Sequence, residues 1–136
     1  MTGHFLFLCG LAAATVSDLW KRRIPDTVHV LFLLSGLIQI TGCRQPFLPR
    51  VMAFLLIGGV MLGVGIHTGS LGGGDIKMGA CMSFALGLIP ALYSLLLAFF
   101  LAALLAAAMR LLQAKPVSIP LAPFMALGCL AVFAVL

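Results

Sequence analysis

Acidic residues are scarce in this chain. Asp18, Asp26 and Asp75 are the only three among 136 residues, and there is no glutamate. Charged residues of both signs reach only 8%, against roughly 25% in soluble domains, which excludes a soluble globular fold. The cysteines Cys9, Cys43, Cys81 and Cys129 form no CxxC pair, so neither a zinc ribbon nor a thioredoxin-like centre is expected. There is no HExxH, and His4, His29 and His67 are dispersed, so no metal site is expected. The glycines at 72–74 are not followed by Gly-Lys-Ser/Thr, which excludes a P-loop. No cofactor is expected. Short alternating segments of the β-barrel kind are absent. So are internal repeats, low-complexity tracts and linkers, and residues 1–136 read as one membrane domain.

What is present is apolar sequence. Hydrophobic residues make up 63% and the mean hydropathy is +1.26. Six apolar segments are expected as helices, over 3–18, 27–42, 51–68, 76–89, 90–109 and 119–136. The fold class is therefore all-α, a polytopic membrane protein of about six transmembrane helices in a lipid bilayer. The first helix is expected to run on to Trp20, an aromatic suited to the interface. A tight turn at Leu88-Ile89-Pro90 is expected to separate the fourth and fifth, the alternative being one kinked helix. The first segment is no secretory signal, because its basic residues follow it rather than precede it.

The net charge of +5 does not point to nucleic acid, since the basic residues sit at the ends of apolar runs. Lys21, Arg22, Arg23, Lys77, Arg110 and Lys115 all fall on one side of an alternating topology, with Arg44 and Arg50 on the other. By the positive-inside rule the former side is cytoplasmic and the N-terminus lies outside.

Two carboxylates share that cytoplasmic boundary. Asp18 ends the first helix, Asp75 begins the fourth, and an even number of crossings lies between them. Such a pair, one acid protonated and one ionised, can activate water and protonate a leaving nitrogen. Asp75 at a helix start could equally cap that helix, and capping is compatible with catalysis. Asp26, after Ile24-Pro25, reads as a cap of the second helix. Gly72 and Gly74 would let a substrate backbone approach Asp75, and Lys77 would add positive charge beside it. The helix dipoles predict that Asp75 is the base and that Asp18 holds the shared proton. The alternative class is a small transporter or proton-pathway subunit with intramembrane carboxylates, though such a relay wants its acids near the midplane. A rhomboid-like serine site has no recognisable signature around Ser83 or His67.

The residues also resemble a known family. Gly72-x-Gly74-Asp75 matches the GxGD signature of intramembrane-type aspartic proteases. "DLWKRRIPD" (18–26) resembles the first catalytic segment of type IV prepilin peptidases, "GGGDIKMGA" (72–80) the second, and "IPLAPFMALG" (119–128) the last helix. The resemblance implies a cell-membrane endopeptidase that removes the basic leader of prepilin-like substrates at the cytoplasmic face, just after a glycine. It implies Asp18 and Asp75 as the catalytic pair. The chain opens at its first helix and lacks paired cysteines, so it resembles the small peptidase-only type of tight-adherence (Flp-type) pilus and archaeal preflagellin systems, and methylation is not expected of it. A catalytically silent assembly factor would keep the fold without need of the aspartates.

Overall fold

The computed structural model describes residues 2–21, 24–43, 46–69, 71–112 and 121–135. Among them are six α-helices and no strand: α1 (Thr2–Lys21), α2 (Asp26–Cys43), α3 (Phe47–Thr68), α4 (Gly73–Leu86), α5 (Leu88–Leu111) and α6 (Ala122–Val135). The expected helices are all present. Arg22, Arg23, Arg44, Lys115 and the Ile119-Pro120 start of the last motif lie outside the described residues.

Length sorts the helices. Gly3–Lys21, Phe47–Thr68 and Leu88–Leu111 are long and apolar enough to cross a membrane, and Asp26–Gly42 and Ala122–Ala134 are shorter apolar helices. At 14 residues, α4 rises only about 21 Å, short of a hydrocarbon core about 30 Å thick. It is nevertheless the centre of the molecule. It packs against α2, α3 and α5, α1 bridges α2 and α6, and α6 lies along α5. Every residue from Met78 to Ala85 is buried. The outer faces of the long helices carry exposed Leu55, Leu56, Val60, Leu96, Phe100 and Leu104, apolar surface that a bilayer covers at no hydrophobic cost.

The break between α4 and α5 is at Gly87, not at the Leu88-Ile89-Pro90 turn read from the sequence. Gly87 has φ 90° and ψ 171°, a region essentially confined to glycine. Its N–H donates to the Ser83 carbonyl to close α4, and its carbonyl accepts from Ala91 to open α5. Pro90 then falls in the first turn of α5, where its missing N–H costs nothing. Close packing uses a second glycine. A Cβ at Gly128 of α6 would collide with the Ser94 carbonyl of α5.

Because α4 is short, its last carbonyls end among apolar helices, away from water. Helix ends leave carbonyls without partners, and in hydrocarbon each costs several kcal/mol. Arg50, 4% exposed, meets this need. Its Nη1 donates to the Phe84 carbonyl at 3.1 Å and the Ala85 carbonyl at 2.6 Å, and its Nη2 to Gln39 Oε1 at 3.3 Å. The sequence had assigned Arg50 to an outer loop as a topogenic charge. It belongs instead to the first turn of α3, and serves as the C-terminal partner of α4.

Candidate active site

Four helix ends meet at the opposite end of α4: the last turn of α1 and the first turns of α2, α4 and α6. Asp18 is in the last turn of α1, followed by Leu19, Trp20 and Lys21. It is 7% exposed, and its Oδ2 accepts the Ala122 N–H at 3.1 Å. Ala122 is the first residue of α6, so Asp18 supplies the acceptor that this helix start would otherwise lack. Pro123 follows it, in a first-turn position that demands no donor. Sequence reasoning missed this partnership. The Leu121-Ala122-Pro123 start signal and the even number of crossings from α1 were the legible clues.

Asp75 lies in the first turn of α4, outside the candidate membrane spans. It is not the N-cap expected from the sequence. Gly72 takes that place, and the Asp75 carboxylate, three residues on, reaches back to the Gly72 N–H, which is half of a capping box. The Asp75 carboxyl is pushed up from 3.8 to about 6, by burial first and by the Asp18 charge second, with the Gly72 hydrogen bond opposing both. The structure thus brings the two predicted carboxylates into electrostatic contact. The upward shift of Asp75 runs opposite to the one read from the helix dipoles. The dipole of α4 is outweighed by desolvation, and Asp18 faces the N-terminus of α6 as well as the C-terminus of its own helix.

The glycines at 72–74 form a helix start rather than an extended loop. Among the described residues only Gly69 and Gly87 have positive φ, so this run is not needed for unusual dihedrals. Gly72 is exposed, Gly73 has open space where a Cβ would stand, and Gly74 lies beside Ile24. The run therefore keeps the approach to Asp75 clear of side chains on the Gly73 side.

Lys77 does not act on Asp75. Its Nζ is 3.6 Å from Asp26 Oδ1, with both side chains largely exposed. Asp26 is the first residue of α2, where a negative charge suits the helix dipole, and it also lies 3.7 Å from His29 Nδ1. His29 Nε2 is 3.3 Å from the Gly74 carbonyl. Among the described residues no cluster of three or more metal-binding side chains occurs.

An apolar groove runs between α1 and α6 toward this end, lined by Leu11, Thr15, Val16, Pro123 and Leu127 among others. Thr15 and Val16 are within a turn of Asp18, and Pro123 adjoins Ala122.

The type IV leader peptidase family model matches residues 5–108, from α1 through most of α5, and so includes both aspartates. No curated protein and no solved structure matches the chain.

Proposed function

The chain belongs to the type IV leader peptidase family, and from that premise we propose that it is a membrane aspartic endopeptidase acting on a prepilin-type substrate. Asp18 and Asp75 are its catalytic pair. The observation that carries the proposal is their convergence: residues 57 positions apart in sequence meet closely enough for the charge of Asp18 to raise Asp75.

The chemistry divides by environment. Asp75, half-buried and with its carboxyl pushed up to about 6, is the acid. Asp18, held against the Ala122 N–H, is the base. Asp18 takes a proton from water as the oxygen adds to the scissile carbonyl carbon. Asp75 gives its proton to the carbonyl oxygen, and a neutral tetrahedral diol forms. Asp18 then passes its proton to the leaving nitrogen, the C–N bond breaks, and Asp75 regains a proton from the diol. Both carboxyls return to their starting states, as paired-carboxyl catalysis requires.

The surroundings suit a prepilin-like substrate with a basic leader, a glycine and a hydrophobic helix. The α1–α6 groove offers an apolar bed for that helix, ending beside Asp18. The open Gly72–Gly74 side offers the cut segment access to Asp75. The basic residues Lys21, Lys77 and Arg110 at this end support a cytoplasmic placement of it by the positive-inside rule. A proton-pathway subunit is disfavoured by the placement of both acids at helix ends and by the family itself.

The direct test incubates the purified protein in lipid with such a substrate and identifies the cut by mass spectrometry. Cleavage after the glycine, abolished in D18N and in D75N, is expected. Cleavage that persists in either variant overturns the assignment.

A further inference from the structure

We propose that His29 is a positioning residue for Asp75, holding the first turn of α4 through the Gly74 carbonyl; the proposal rests on the reading of Asp75 as catalytic. His29 lies in an apolar helix and is 7% exposed. An imidazole buried there is costly unless it is hydrogen-bonded. Its long-range bond runs from Nε2 to the Gly74 carbonyl, across 45 residues of sequence, at 3.3 Å. A carbonyl only accepts, so Nε2 carries the hydrogen. Gly74 immediately precedes Asp75.

The start of α2 makes a second contact with α4. Nδ1 is buried without a hydrogen-bond partner and lies 3.7 Å from Asp26 Oδ1. Asp26 in turn lies 3.6 Å from Lys77 Nζ. The start of α2 therefore grips α4 on both sides of Asp75, at Gly74 before it and at Lys77 after it. The two grips are unequal. The Lys77–Asp26 pair is exposed, and such pairs contribute little. The His29 bond is the buried one.

The turn needs an external hold. Gly72, Gly73 and Gly74 lead into Asp75, and glycine is the residue with the widest backbone freedom. A catalytic carboxylate must be held to within about 0.5 Å of its working place. The glycines keep the substrate approach open but leave the turn soft, and His29 restores the stiffness from outside α4.

The test compares H29N, H29Q and H29L in lipid. Glutamine places an amide N–H near the position of Nε2, asparagine near that of Nδ1. H29Q should keep kcat within about threefold of the parent, whereas H29N and H29L should lower it on the order of tenfold to 100-fold, the scale of an ångström of misplacement, with KM little changed. Hydrogen exchange gives a readout independent of cleavage. The Asp75 and Ile76 amides both donate to the Gly72 carbonyl, and their exchange should quicken in H29N and H29L but not in H29Q. Parent-like kcat in H29N, or exchange equal in all four proteins, overturns the positioning role. If the parent cleaves no leader while exchange still follows the Gln–Asn difference, the peptidase reading fails and the tether stands.

Discussion

Asp18 and Asp75 reach one end of the bundle by different routes, and the proposed mechanism gives each a different task. If they act as one unit, D18N and D75N should each abolish cleavage and the double variant should be no worse, since residues that act together are not additive; single-turnover assays of the three variants check this. The raised Asp75 has a pH signature. If Asp75 acts as the proposed acid, kcat/KM should fall as pH rises through about 6, the limb belonging to the coupled pair rather than to either acid alone. The same shift acts on stability. An acid whose folded value lies above its unfolded 3.8 costs nothing below the unfolded value, and its penalty grows until pH passes the folded one. D75N removes that penalty. Its Tm should exceed the parent's by a few degrees near neutral pH, the gain shrinking as pH falls below about 6, in thermal scans across pH. Lys77→Met, by contrast, should leave the pH profile unmoved, because Lys77 pairs with Asp26.

At the scale of elements, α4 decides the design. It is too short to span, so one end can carry Asp75 while the other is sealed inside the protein. The seal is Arg50, and R50M should leave the Phe84 and Ala85 carbonyls without that donor. Leaving a buried acceptor unsatisfied costs about 1–3 kcal/mol, a loss that a chemical or thermal unfolding curve in detergent would register. Gly87→Ala forces a side chain onto φ 90° and should cost about 1–3 kcal/mol, read in the same way. Both changes lie at the end of α4 remote from Asp75, so the residual folded protein should keep its KM.

At the scale of the whole molecule, the charges at the helix ends predict an orientation with the Asp18 end cytoplasmic. Arg50 no longer counts among the outer charges, because it is buried and hydrogen-bonded, which strengthens the bias toward the Asp18 end. On a cysteine-free background, a single cysteine at Trp20, 87% exposed, should react with an impermeant maleimide from the cytoplasmic side. One at Leu48, 70% exposed, should react from outside. The reverse pattern would overturn the charge reading.

The amino-acid sequence alone determined the class, the six helices and the two carboxylates. Apolar runs and scarce charge are local properties that a bilayer reads directly, and the order of Asp18, Gly72, Gly74 and Asp75 needs no folding to be seen. Three things waited on the tertiary structure. The role of Arg50 appeared only when α3 was laid against the end of α4, since hydropathy cannot say which carbonyls a distant guanidinium meets. The direction of the Asp75 shift ran against the helix-dipole reading because dipoles can be read along the chain, whereas the desolvation that raises Asp75 arises only from packing. His29 carried no signal beyond its i+3 spacing from Asp26, because its bond to Gly74 exists only where α2 and α4 pack.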